Sequence, residues 1–381
     1  MGTGGGTSGS ISYATTTVSK TTADAAFTNT LTKTGDGTVS YASSKTDVAT
    51  VNATTGQVTI VGAGESTITA TVTDSDTYTY ATKTASYTLT VTATDTTPEG
   101  FVKVSGTTIT GSETWTPTSD VFVSGRSLTI PDLYVCDHEV TQAEYEKYCK
   151  YGSSSPSSTF GAGDNYPAYY VSWYDAIVYC NLRSMDEGLT PAYAISGETD
   201  PTKWSGIAGS ETDKYCGPSS SDSTWNGMTF DNTADGYRLP TEAEWEYIAR
   251  EGKTSGTTYS GSNTIGEVAW YRENSYDKGS SAPDYGTHEV KRDKVSGTDS
   301  ANALGIYDMS GNVWEWCWDW YSSSISSSTD AAGAASGSGR VGRGGSWIND
   351  ADVCTVSGRD YCYPNFRNYG LGFRVVRSSS N

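Results

Sequence analysis

From Ile11 to about Thr94, apolar and polar residues alternate with a period of two, as in Val48-Ala-Thr-Val-Asn52 and Thr67-Ile-Thr-Ala-Thr-Val-Thr73. Side chains on a strand point to opposite faces in turn, so this pattern, rich in β-branched Thr and Val, predicts strands buried on one side. Thr54-Thr-Gly-Gln57 and Gly62-Ala-Gly64 supply turns, and the segment 11–94 is expected to close as a small antiparallel sandwich. The residues before it, Met1 followed by mostly glycine and serine, predict a flexible tether over 1–10.

The period changes after a polar hinge, Asp95-Thr-Thr-Pro-Glu-Gly100, which marks the boundary with a second domain over 101–377. Three helix starts follow, each a Ser or Thr with an acid three positions on: Thr141/Glu144, Ser172/Asp175 and Thr241/Glu244. In such a capping box, hydroxyl and carboxylate satisfy backbone N–H groups that would otherwise lack partners at the helix start. Trp173, Ala176, Ile177 and Cys180 recur at helical spacing, as do Trp245, Ile248 and Ala249. One face of each helix is therefore expected inside, with Cys180 a small buried apolar group. The long polar stretches 153–165, 198–235 and 271–300 predict functional or ion-held loops. A strand over 314–320 would place Trp314, Trp316, Trp318 and Trp320 on one face, in a core or an interface, and Glu315, Cys317 and Asp319 on the other.

Charge and composition narrow the function. A formal charge of -19 argues against nucleic acid or an anionic membrane as partner, since both reward clustered Lys and Arg. Tyr at 27 and Trp at 11, against Phe at 7, favour amphipathic surface suited to recognition. Cys136, Cys149, Cys180, Cys216, Cys317, Cys354 and Cys362 contain no Cys-x-x-Cys and define no disulfide framework. His138 and His288 have no zinc spacing and read as structural. No apolar run is long enough to span a bilayer, and any export signal or lipid anchor would lie upstream. Asn312 and Glu315, with main-chain carbonyls such as that of Val313, offer the hard oxygens calcium takes; a capped turn beside a surface acid explains them equally well.

Several longer strings converge: Tyr170-Val-Ser-Trp-Tyr-Asp-Ala-Ile-Val-Tyr-Cys-Asn181, Gly236-Tyr-Arg-Leu-Pro-Thr-Glu-Ala-Glu-Trp-Glu-Tyr247, Leu304-Gly-Ile-Tyr-Asp-Met-Ser-Gly-Asn-Val-Trp-Glu-Trp316, Gly342-Arg-Gly-Gly-Ser-Trp347 and Gly372-Phe-Arg374. Together they resemble the formylglycine-generating-enzyme (sulfatase-modifying factor) family over nearly all of 100–377. That resemblance implies an α+β fold of the C-type-lectin type and strengthens the case for structural calcium at Asn312, Val313 and Glu315. The family's enzymes oxidise a substrate cysteine with a copper-binding cysteine pair, and the corresponding positions here are Asn349 and Cys354, with Cys362 displaced. A lone thiolate cannot form the soft two-sulfur site, so neither copper nor oxidase activity is expected. The string from Asp47 to Ala70 resembles bacterial Ig-like repeats of the group 2 type, which serve as stalk modules.

The brackets Arg343-Gly-Gly-Ser-Trp347 and Gly372-Phe-Arg374, with Cys354, Arg359, Pro364 and Arg367 between, also resemble the variable proteins of diversity-generating retroelements of the treponemal type. In those systems a reverse transcriptase rewrites template adenines. Replacing the adenines of an asparagine codon never yields Lys, Glu, Gln, Met or Trp, and none occurs from Ile348 to Leu371. The resemblance implies a diversified, non-catalytic site at Ile348, Asn349, Asp350, Asp352, Val353, Gly358, Asp360, Tyr361, Cys362, Tyr363, Asn365, Phe366, Asn368, Tyr369, Gly370 and Leu371. Its tyrosines would give rigid contact area and its Asn and Asp adaptable hydrogen bonds. The expected protein is a monomer displayed on the cell surface as a lipoprotein, binding variable protein ligands; a cysteine oxidase and a purely structural adhesin are the alternatives. Trp347-Ile-Asn-Asp350 and Tyr363-Pro-Asn365 do not match the sugar-binding motifs of calcium-dependent lectins, so sugar is not the expected ligand.

Overall fold

In the N-terminal unit the period-two pattern becomes an inside and an outside. Ser66, Ile68, Ala70 and Val72 of the strand Gly64–Val72 are buried, and Tyr87, Leu89 and Val91 of Thr84–Thr92 pack with them across an antiparallel ladder running from Thr84↔Thr71 to Val91↔Gly64. The computed structural model describes residues 7–92, 94, 97–291 and 300–379. The chain divides into two units, Met1–Thr96 and Thr97–Asn381.

Two expectations for the first unit need correction. The sandwich is mixed rather than antiparallel, because Thr17–Thr21 runs parallel to Thr84–Thr92, and Thr7–Tyr13 parallel to Tyr78–Tyr80. The tether is too long: Thr7–Tyr13 is a strand with Ile11 and Tyr13 in the core. Its glycine content misled, since Gly9 is where the Tyr80 ring lies; a Cβ there would stand 2.5 Å from Tyr80 Cε1. Residues 1–6 of the expected tether, and 95 and 96 of the expected hinge, lie outside the described residues.

The second unit is α+β. Phe101–Val104, Leu133–Cys136 and Val376–Ser378 make an antiparallel sheet joining the unit's two ends. A second sheet has the order Arg359–Cys362, Arg340–Arg343, Trp314–Trp320, Leu371–Gly372. Its strand Trp314–Trp320 separates two apolar cores: Trp316 packs on one side in a cluster with Trp173 and Phe373, Cys317 on the other in a cluster with Trp245 and Val341. The guanidinium of Arg340 is stacked between the rings of Trp173 and Trp320, at 3.8 and 3.6 Å from their centroids.

All three capping boxes form, opening the helices Gln142–Tyr148, Trp173–Asp186 and Glu242–Ala249. Cys180 is buried in the apolar cluster, as its spacing implies. Helix Glu242–Ala249 departs from the one-faced expectation, because every residue in it is buried. Arginine partners make that possible: Glu244 pairs with Arg238 at 2.7 Å, Glu246 with Arg250 at 2.8 Å and Arg343 at 2.6 Å, and Glu242 with Arg359 at 2.6 Å. A buried carboxylate keeps its charge only where such partners replace water.

Candidate functional site

The segment between Trp347 and Gly372 is pinned at intervals to the second unit's helices. Gly345 has a positive φ of 72°, and a Cβ on it would meet Cys354 Sγ at 2.6 Å, so the Gly-Gly-Ser turn closes onto that thiol only with glycine there. Ser346 N–H and Oγ donate to Asn349 Oδ1 at 3.0 and 2.7 Å, fixing the exit from the turn. Arg359 then grips Glu242 through Nε and Nη2 at 2.6 and 2.8 Å. The Pro364 carbonyl accepts the Trp173 N–H at 3.0 Å, and Arg367 grips Asp175 at 2.8 and 2.9 Å. Trp347 is buried among Phe160, Tyr276, Tyr285 and Tyr369, its indole donating to the Tyr369 carbonyl at 3.2 Å. Bidentate arginine pairs add geometric specificity as well as energy, so irregular backbone is held in one shape.

Side chains between these anchors divide into groups. Asp350, Asp352, Asp360, Tyr361, Tyr363 and Phe366 are exposed, while Ile348, Asn349, Val353, Gly358, Cys362, Asn365, Asn368 and Tyr369 are half-buried. Gly370 and Leu371 are buried. Ile348, Asp360, Tyr361, Cys362, Phe366, Asn368 and Leu371 surround a recess of about 110 Å³. Trp314, Trp316 and Gly342 complete its lining; sequence alternation had placed these tryptophans in a core or an interface, without linking them to the run after Trp347. Other residues of that run have local duties: Asp350 pairs with Arg272 at 3.0 Å, Asn365 donates to the Ser219 carbonyl at 3.1 Å, and Tyr369 stacks on Phe160 at 4.8 Å. Gly358 and Gly370 are better explained by close packing than by ligand contact. A Cβ on Gly358 would lie 2.2 Å from the Val353 carbonyl oxygen, and one on Gly370 would lie 3.0 Å from Ser346 Oγ.

The two positions expected to matter for oxidation carry no thiolate pair. Asn349 closes the Ser346 turn, and Cys354 is fully buried, where desolvation pushes its thiol up to about 12. Cys362 is half-buried, with its thiol pushed up to about 11, again mainly by burial.

The calcium expectation fails a test of fit. Glu315 gives both oxygens to Arg374 and shares one with the Trp245 indole. Asn312 Oδ1 accepts the His288 N–H at 3.0 Å, its amide donates to Glu139 at 2.7 Å, and Val313 N–H donates to Glu139 at 3.1 Å. With Asn312 Oδ1 and both Glu315 oxygens already engaged, the side chains of Asn312 and Glu315 do not fit a calcium shell. Cys136, Asp137 and His138 bring potential ligand atoms within 4.8 Å of one another, a grouping that histidine spacing alone could not reveal. Burial lowers the pKa of the His138 imidazole, but Cys136, Asp137 and Glu144 together push it up to about 12.

Comparison with known proteins places this geometry. The sulfatase-modifying factor enzyme 1-like domain matches residues 81–379, and the intimin immunoglobulin-like domain matches residues 27–76. Chaperone protein LppX of Paenibacillus barcinonensis is 37% identical over 272 residues, covering 68% of this chain and 85% of that one. The formylglycine-generating enzyme of Streptomyces coelicolor is 35% identical over 164 residues, 41% of this chain and 51% of the enzyme, so the match spans about half the enzyme's length. Among solved structures, Treponema denticola variable protein 1 superposes with a TM-score of 0.57 at 30% identity, covering 73% of this chain and 95% of that one. Through residues 81–379, the chain belongs to the sulfatase-modifying factor enzyme 1-like family, with its C-type-lectin-like fold C-terminal to an immunoglobulin-like domain.

Proposed function

We propose that the face built from Ile348 to Leu371 is a diversified ligand-binding site, and that the protein is a surface-displayed binder of variable protein ligands. The observation that carries this reading is the division of labour along the run. Arg359, Pro364 and Arg367 are committed to the scaffold, while Tyr361, Tyr363 and Phe366 between them are 47%, 63% and 42% exposed. Large aromatic side chains left in water on a pinned backbone are costly unless a partner covers them, and aromatics of this kind anchor protein interfaces. The likeness to a protein named as variable supports diversification of this face. The Ig-like unit would act as a spacer.

The test has two arms. At the gene, the reading requires a reverse transcriptase nearby and a near-identical copy of the 3′ coding end differing at adenines. At the protein, ligands selected from a displayed library should be lost when Tyr361, Tyr363 and Phe366 are together changed to Ser. Selected ligands indifferent to that triple change would overturn the proposal. The oxidase reading is carried by likeness to formylglycine-generating enzymes alone, since Asn349 replaces one cysteine of the pair.

A further inference from the structure

The recess of about 110 Å³ has two parts of different origin. Trp314, Trp316 and Gly342 lie on the strands Trp314–Trp320 and Arg340–Arg343, outside the run 348–371, with Trp316 directly opposite Gly342 in the ladder. Ile348, Tyr361, Phe366 and Leu371 come from the run itself. Gly342 is the informative residue. Unlike Gly345, it is not among the glycines of positive φ, and a Cβ on it would find Trp314 Cε3 at 3.6 Å and the Asp360 carbonyl oxygen at 3.9 Å, ordinary contact distances. Neither backbone conformation nor close packing demands glycine here. What glycine does at 342 is leave the space over two tryptophans open.

We infer that this recess is an anchor pocket with a fixed floor that takes one large apolar side chain, of leucine or phenylalanine size, projecting from a basic segment of a partner protein. The inference rests on the ligand-binding reading above. An enclosed apolar cavity of roughly 150 Å³ holds a benzene ring, so a recess somewhat smaller and open at the top suits one such side chain. The lining is apolar apart from Asn368 and Asp360, and it offers little to a polar group that must shed water. Asp360 at the lip is exposed and spends one oxygen on the Tyr361 amide at 2.8 Å, leaving a negative edge on a chain of charge -19. A lysine or arginine beside the apolar residue complements that edge. Because the tryptophans and Gly342 stand outside the diversified run, differently diversified versions keep this floor, while walls such as Ile348, Phe366 and Leu371 and the lip at Asp360 change with the version and set which side chain and flanking sequence are accepted.

The experiment pans a phage library of disulfide-looped peptides against the full chain. Recovered peptides are then measured against the unchanged chain, Gly342→Leu, and the pair Tyr363→Ser/Phe366→Ser. Expected are peptides with Leu or Phe at one position beside Lys or Arg, weakened about tenfold or more by Gly342→Leu, which fills the recess. Gly342→Val is the smaller filler if the Leu variant melts early. Peptides lost with the rim pair but bound normally by the Gly342 variants would overturn the anchor pocket and leave the binding face standing. Peptides indifferent to all the variants would overturn both. As a direct probe, N-acetyl-leucinamide should shift the indole NMR signals of Trp314 and Trp316 in the unchanged chain and not in Gly342→Leu; no shift at millimolar concentrations would also overturn the pocket.

Discussion

Arg374 holds both oxygens of Glu315, its Nε donating to Oε2 at 2.8 Å and its Nη2 to Oε1 at 2.7 Å. Both side chains are buried, and the Trp245 indole adds a third donor at 2.7 Å. A calcium ion bound through Glu315 would have to displace a guanidinium. Calcium is therefore expected to leave the melting temperature unchanged. Glu315→Gln should cost about 3–5 kcal/mol by stranding the arginine. Thermal melts with added calcium or with a chelator check both, and a calcium-dependent rise would restore the metal reading.

The variable face should separate into tolerant and intolerant positions. Changing Tyr363 and Phe366 together to Ser should alter stability by no more than about 0.5 kcal/mol per site, the usual range for exposed positions, while Tyr361→Ser should cost about 1 kcal/mol because its ring stacks on Tyr321 at 4.6 Å. Leu371→Ala should cost about 2–5 kcal/mol, because Leu371 is buried in the cluster of Trp316 and Phe373 and pairs with Trp314. Denaturant titration reads the difference; equal losses at both would mean that the face is part of the core.

Local rules written into short strings were legible in the sequence: the capping boxes at Thr141, Ser172 and Thr241, the strand alternation of 314–320, and the burial of Cys180. What could not be read was anything decided by a distant partner. Glu242 and Glu246 lie off the apolar positions of their helix, and they are buried because Arg359 and Arg343, from strands far along the chain, join the neighbouring Arg250 in pairing with them. Glu315 looks like a cation ligand until Arg374 takes it. Within the site, the run 348–371 announced itself through its glycine brackets. The floor of the recess did not, because it meets the run through the register of strands far apart in sequence, Trp314 opposite Leu371 and Gly342 opposite Asp360.

Asp319 gives a pH dependence with a definite sign. It is buried, and desolvation first, then the charge of Glu242, raises its pKa from 3.8 to about 8. The folded state therefore keeps a proton that the unfolded state has lost between about pH 4 and 8, so this group makes stability fall as pH rises through that window. Asp319→Asn mimics the protonated form and still offers an oxygen to the Glu242 N–H. The variant should flatten the decline by up to about 1.4 kcal/mol per pH unit. Urea titrations at intervals across the window test this, and parallel curves for the two proteins would show that Asp319 is ionised in the fold.

Oxidation of a substrate cysteine is the activity that the family relationship invites, and the turn after Trp347 argues against it. Asn349 spends its side-chain oxygen closing that turn, and the Cys354 thiol, buried against Gly345 and pushed up to about 12, is withheld from metal and solvent alike. Incubated with copper and a sulfatase-type cysteine peptide, the protein should form no aldehyde product detectable by mass spectrometry. Cys354 should also resist alkylation by iodoacetamide in the native state at pH 8, becoming reactive only on unfolding. Aldehyde formation that requires Cys354 would overturn the binding-only reading, and rapid native labelling of Cys354 would remove the physical reason offered for it.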